Sequence, residues 1–401
     1  MTAMTFPALS LRGQVEPFHV MEVLKAAGRR AATHGDVIPL CVGQPSTPAP
    51  AAVRAAAAAA LETEVLGYTD AVGTPQLRAA IADHYGQRYD LSIDPDQVVV
   101  TTGSSGGFTA LFLAAFDPGD VVAMARPGYP AYRNTLAALG VRVLELDCGP
   151  QQRYAPTVAM LDQLAAAGDT PKGLILASPA NPTGTLVEEE RLAQIATWCQ
   201  EHGTLLISDE IYHGITYERS AACAWQFSRS AALVGSFSKY FSMTGWRLGW
   251  LVLPEVYVRP VELLLGNLNL CAPAISQAAA LAAFTPQARA ECESHVQRYA
   301  RNREVLLRRL PELGVTAVAP PDGAFYVYAD ISHVTGDSTR WCAEVLDATG
   351  VAITPGVDFA PVGAASPSPL DGSRFVRLSF AGETSAIDEA LTRLAGHIAR
   401  H

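Results

Sequence analysis

The segment Gly235–Gly249 (GSFSKYFSMTGWRLG) places Ser236 and Ser238 just before Lys239, with Arg247 eight residues further on. A lysine amine condenses with an aldehyde only when deprotonated. Burial beside other cations lowers its pKa from about 10.4 toward neutrality. The two hydroxyls and the guanidinium are donors suited to a phosphate. An amine nucleophile beside such a clamp suits a phosphorylated aldehyde cofactor.

Four further segments carry candidate chemistry. Asp209, in Ser208–Tyr212 (SDEIY), follows Leu205, Leu206 and Ile207, which should draw it into a low-dielectric site. A carboxylate there is costly unless it is paired. Ala177–Gly184 (ASPANPTG) has two prolines and a glycine that stop the preceding strand, leaving Asn181 in a turn. Thr101–Gly107 (TTGSSGG) opens a helical run, so Gly103, Ser104 and Ser105 offer free backbone N–H groups and a positive dipole end to an anion. Arg377, in Phe375–Phe380 (FVRLSF), shares one side of a predicted strand with Phe375 and Ser379. An arginine among apolar residues needs an anionic partner, and its planar fork matches a carboxylate.

The S-x-S-K-x7-R pattern at Ser236–Arg247 resembles the pyridoxal-5′-phosphate (PLP) lysine signature of the class I/II aminotransferases, the fold-type-I PLP enzymes. The other segments follow in the family's order, from about residue 15 to residue 395. The resemblance implies an α/β fold: a large domain with a mostly parallel seven-stranded sheet flanked by helices, plus a smaller α+β domain. It also implies roles. Lys239 would carry PLP and act as general base and acid. Asp209 would face the pyridine nitrogen and make the ring an electron sink. Tyr212 and Asn181 would contact the ring oxygen, with a cis Asn181–Pro182 bond. Gly103, Ser104, Ser105, Ser236, Ser238 and Arg247 would form the phosphate cup. Tyr129, in Arg126–Tyr132 (RPGYPAY), would stack on the ring. Tyr68, in Gly67–Gly73, would reach the phosphate of a neighbouring subunit, giving a homodimer with shared active sites. Arg377 would bind the substrate α-carboxylate. Gly43 would line the same end, and Phe18 would lie in the N-terminal segment covering the mouth.

Two departures bear on substrate. Relatives often have glutamate where this chain has Gln44, a change of little consequence. Aspartate-using relatives often have a lysine at the position of Ser105, there to bind a distal carboxylate. Without it the preference leans to neutral aliphatic amino acids such as alanine or valine, exchanged with a 2-oxo acid by a ping-pong mechanism. An aspartate aminotransferase, or a β-lyase acting on sulfur amino acids, remains an alternative, because such reactions share one carbanion. A transcription regulator would need a DNA-binding module, and about 40 residues precede Gly43.

The elements that must position these residues are legible as alternation. Short β-branched runs at Gln97–Thr102, Val121–Ala125, Val141–Leu146, Gly173–Ala177, Thr204–Ser208 and Ala232–Gly235 alternate with helical patterns. One is Glu188–Glu201, with Leu192, Ile195, Ala196 and Cys199 on one face. Beyond about residue 285 an arginine-rich helical stretch leads to strands expected at Gly323–Ala329 and Phe375–Phe380. The expected division is 45–285 for the large domain and 1–44 with 286–401 for the small one. Val362–Gly372 reads as a surface loop.

Composition narrows the class. The 401 residues are 49% hydrophobic and 17% charged, an ordinary globular balance. Thirty-nine acidic against 29 basic residues give a net charge of −10, with no basic run to suggest nucleic acid. Met1–Ser10 lacks the features of a secretory signal, and the alanine run Ala55–Leu61 is too short to span a bilayer. Seven dispersed cysteines, with no CxxC pair, read as reduced core thiols of a cytoplasmic protein and imply no metal.

Overall fold

The computed structural model describes residues 8–362 and 368–400. Part of the expected loop at Val362–Gly372, and of the N-terminal Met1–Ser10, lies outside the described residues.

After the two-residue strand β1 (Ile38–Pro39), the β-branched runs form β2 (Val98–Thr101), β3 (Val121–Arg126), β4 (Arg142–Asp147), β5 (Gly173–Ala177), β6 (Leu205–Asp209) and β7 (Ala232–Ser236). A further strand, β8 (Gly249–Val252), follows the lysine segment. The seven pair in the order β2-β8-β7-β6-β5-β3-β4. Strands β3 to β7 are parallel, while β8 runs antiparallel to both neighbours, with Thr101 opposite Gly249 and Ser236 opposite Gly249.

Strands buried on both faces read as continuous apolar runs. Leu174, Leu176, Leu206 and Leu233 pack into one core, and their alternates Ile175, Ile207, Ala232 and Val234 into another. The expected amphipathic helix forms at Glu189–Glu201, burying Leu192, Ile195, Ala196 and Cys199 together with Trp198.

The C-terminal third carries β9 (Tyr326–Asp330), β10 (Val351–Ala352), β11 (Thr354–Pro355) and β12 (Phe375–Ser379). The order β11-β12-β9 is antiparallel throughout. The strand expected from Gly323 begins at Tyr326, because Ala324 takes a left-handed φ of 54° that breaks the extended ladder. The arginine-rich stretch is the helix Pro286–Arg309, its N-terminus capped by the Thr285 hydroxyl. Strand β1 pairs in parallel with β10, Ile38 opposite Val351, so the N-terminal segment is hydrogen-bonded to this third. Helix α1 (His19–His34) precedes it.

This topology gathers the candidate residues. Asp209 ends β6 beside Ala177, the last residue of β5. Lys239 lies three residues beyond β7, and the helix Gly103–Ala115 begins just after β2. The crevice at the carboxyl ends of parallel strands is where open α/β sheets bind ligands.

Among the described residues no helix is long and apolar enough to cross a membrane, and no metal-ligating cluster occurs. All seven cysteines are free, and all but the half-buried Cys271 are buried.

Candidate active site

A cavity of about 690 Å³ opens at those strand ends. Its lining includes Lys239, Asp209, Tyr212, Asn181, Tyr129 and Arg377, together with Gly43, Phe18, Ser104, Ser105, Ser238 and Arg247.

The Lys239 amine donates to the Gly43 carbonyl at 2.6 Å. Its pKa falls from 10.5 to about 8, first because burial penalises the ammonium and then because Arg377 and Arg247 add positive charge; Asp209 opposes them. Asp209 moves the other way, to about 6, through burial. Hydrogen bonds from the Tyr132 hydroxyl and the Ile211 backbone N–H pull it back toward the ordinary carboxylate range. The carboxylate is therefore held in a fixed orientation by these two donors.

The Tyr212 and Tyr326 hydroxyls are 2.6 Å apart. Burial pushes both phenols above their ordinary pKa, so both carry protons. One shared bond uses one proton, which leaves the other O–H available to a ligand. Arg377 crosses the Tyr326 ring with its guanidinium carbon 4.4 Å from the centroid, and the Phe359 ring lies 4.8 Å away. Its Nη1 donates to Asn181 Oδ1 at 2.8 Å and its Nη2 to the Cys41 carbonyl at 2.6 Å. Its buried Nε has no partner among the described residues. The Asn181–Pro182 bond is cis.

At the far end the helix Gly103–Ala115 begins without a side-chain cap from Thr102, so its first N–H groups stay free. Ser104 and Ser105 stand there with Arg247, and a side chain at position 103 would collide with the Arg247 guanidinium. Uncapped N–H groups, hydroxyls and a guanidinium together are an anion site. Ser236 is placed differently from Ser238: its buried hydroxyl accepts from the Ser238 N–H, and it faces a smaller void beside Glu210 rather than this cavity. Tyr68 is 85% exposed and does not reach the cavity of its own chain.

Two residues of this site carry no mark in the sequence. Tyr132 lies inside the RPGYPAY segment, three residues beyond Tyr129. Tyr326 follows a Gly-Ala-Phe run, and only the pairing of β9 with β12 turns it toward Arg377.

Residues 35–394 match the family Aminotransferase class I and II. The chain belongs to the class I and II aminotransferases. It is a PLP-dependent enzyme that exchanges amino groups between amino acids and 2-oxo acids. It is 53% identical to the valine–pyruvate aminotransferase of Mycobacterium tuberculosis, over 96% of this chain and 97% of that one. It is 33% identical to the aspartate/prephenate aminotransferase of Thermus thermophilus, over 91% and 92%. Among solved structures, an aminotransferase from Mycobacterium tuberculosis superposes with a TM-score of 0.94 at 52% identity, covering 99% of this chain and all of that one. Aspartate aminotransferase from Thermus thermophilus with maleate gives 0.90 at 31% identity, covering 98% of this chain and all of that one. The seven-stranded sheet, with one reversed strand, is thus the aminotransferase fold.

Proposed function

We propose that this aminotransferase takes a neutral aliphatic donor of the valine or alanine class and passes its amino group to a small 2-oxo acid such as pyruvate. The observation that carries this reading is the wall of the cavity facing the N-terminal segment. Phe18, Val20, Met21 and Leu24 from that segment, with Val42, form an apolar surface. Among the described lining residues the cations are Lys239, Arg247 and Arg377, and each has a task on this reading, which leaves none for a second substrate carboxylate. The 53% identity to a valine–pyruvate aminotransferase supports the same donor class.

The residues divide the work as follows. Bound PLP supplies the aldehyde that takes up the amino group and a ring that accepts electrons. The uncapped helix start at Gly103, Ser104 and Ser105, with Ser238 and Arg247, would hold its phosphate, and Ser236 would support Ser238 from behind. Asp209, kept in place by Tyr132, would pair with the ring nitrogen. Tyr212 and Asn181 would meet the ring oxygen, and Tyr129 would flank the ring. Arg377, which lines the cavity, would bind the substrate α-carboxylate. Lys239, partly neutral near pH 7.5, would take the proton from the substrate α-carbon and deliver it to the former aldehyde carbon of the cofactor.

We assign the working unit as a homodimer. Leu61, Val65, Tyr68, Leu268 and Leu270 are all more than half exposed. Asn269 lies against Gly106 at the phosphate end, so this apolar edge adjoins the cup. A second chain covering it would bring its Tyr68 to the phosphate. The division into 45–285 and 1–44 with 286–401 is supported by the β1–β10 pairing. A cytoplasmic location is supported by the free thiols.

The test is a donor panel. PLP-loaded enzyme with valine and pyruvate should yield alanine and the valine-derived oxo acid, with parallel double-reciprocal lines. Faster turnover of aspartate than of valine would overturn the substrate reading. Ammonia released from cystathionine or cysteine with no oxo acid supplied would turn it to the lyase.

A further inference from the structure

Helix α1 has no cap of its own. Its N-cap residue is Phe18, whose side chain accepts nothing, so the first N–H groups of the helix need an acceptor from elsewhere. They find it some 340 residues away. Asp358 Oδ1 accepts from the His19 N–H at 2.9 Å, and Oδ2 from the Val20 N–H at 3.1 Å. Asp358 is 1% exposed, so this bidentate contact is made without competition from water.

The segment so held is the apolar wall described above: Phe18, Val20, Met21 and Leu24 all face the cavity. Phe18 also meets the Tyr129 ring edge-on at 5.8 Å. The anchor on the other side is rigid. The Arg133 guanidinium donates to the Asp358 carbonyl at 3.2 Å, and the next residue, Phe359, accepts from the Gly128 N–H at 3.0 Å while its ring packs against Arg377. One short stretch, Asp358–Phe359, therefore touches the entry helix, the loop bearing Tyr129 and the arginine at the carboxylate end.

We propose that Asp358 is a positioning residue for substrate selection: by capping α1 it fixes the Phe18–Leu24 wall over the substrate side chain and so sets the size of donor the enzyme accepts. The inference rests on the neutral-donor reading above. A wall pinned by a buried carboxylate keeps a fixed depth, and a compact branched side chain gains its contact area there. A wall released from the pin yields to larger groups and holds small ones less well.

The experiment compares PLP-loaded wild type, Asp358→Ala and Asp358→Asn by two readouts. Hydrogen exchange at residues 18–24 should rise about 10-fold in Asp358→Ala, the effect of one lost helix cap, while exchange in β6 stays unchanged. Asp358→Asn keeps one acceptor oxygen and should fall between. In steady state, KM for valine should rise about 10-fold with kcat within about twofold, because contact with the wall is binding rather than chemistry. KM for a bulky donor, phenylalanine, should change far less, so the valine-to-phenylalanine preference in kcat/KM should drop. Wild-type exchange at residues 18–24 in Asp358→Ala would overturn the proposal. So would exchange that rises equally in β6, or an unchanged donor ratio, since either would reduce Asp358 to general support. If wild type does not turn over valine, the donor reading fails, and the exchange readout still decides whether Asp358 fastens the wall.

Discussion

Lysines in this chain are few: Lys25, Lys172 and Lys239. That scarcity makes the acidity of Lys239 measurable on the cofactor-free protein. With its pKa at about 8, about a quarter of the Lys239 amine is neutral near pH 7.5; an ordinary lysine at 10.5 would be about 0.1% neutral, a difference of about 200-fold. Lys172 is an internal reference, because its ion pair with Asp120 raises its pKa. Competitive amine acetylation across pH 6 to about 11, read by mass spectrometry at each lysine, reports the three midpoints separately. Lys239 should label with a midpoint near 8 and Lys172 well above it. The signs for two variants follow from the charges that face the amine. Arg377→Gln removes a positive charge that lowers the Lys239 pKa, so the midpoint rises. Asp209→Asn removes a negative charge that raises it, so the midpoint falls. A Lys239 midpoint at or above that of Lys172, or both variants shifting it in one direction, would refute the account of how this amine is made nucleophilic.

Three further outcomes are expected. Lys239→Ala should lower turnover by at least about 1,000-fold and abolish the visible absorbance of lysine-linked PLP, measured on purified protein after removal of free cofactor. Gly43→Ala should destabilise the fold by about 1–3 kcal/mol in a thermal melt, because the new methyl would strike the hydroxyl of Tyr326, which is 1% exposed and hydrogen-bonded to Tyr212. Tyr68→Phe should retain PLP about 10-fold less tightly, the loss of one hydrogen bond to a charged group. At PLP concentrations too low to load Tyr68→Phe, mixing it with Lys239→Ala chains should restore activity in the hybrid dimer, where one site has both a lysine and a partner tyrosine. Equilibrium dialysis and an assay of the mixed subunits check these, and no recovery on mixing would count against a shared site.

What the chain revealed before folding was mostly local. Strands β3 to β7 are short apolar runs between helical patterns, and buried parallel strands leave that trace wherever they occur. Strand β8 leaves less: Gly249–Val252 reads as the tail of the lysine segment, and its place between β2 and β7 depends on partners far off in sequence. The same division holds within the site. Lys239, Asp209, Asn181 and Arg377 stand in short strings whose neighbours mark them. Tyr132 and Tyr326 matter because of what they touch, Asp209 in one case and Tyr212 with Arg377 in the other. Asp358 is the extreme instance. Nothing in its surroundings, beyond a proline–glycine turn, distinguishes it, and its two partners are backbone N–H groups near the opposite end of the chain.

The reversed strand has a consequence for biosynthesis. Ser104 stands at one margin of the strand β8 and Ser238 at the other, and a side chain at Gly249 would strike the Ser104 N–H. A nascent polypeptide that has left the ribosome only as far as Lys239 already has its nucleophile, yet the receptacle for the phosphate is still in two pieces. Loading with vitamin-derived cofactor therefore waits until residue 252 has emerged and been threaded between β7 and the much earlier β2. Capture of the coenzyme then marks completion of the sheet rather than its beginning.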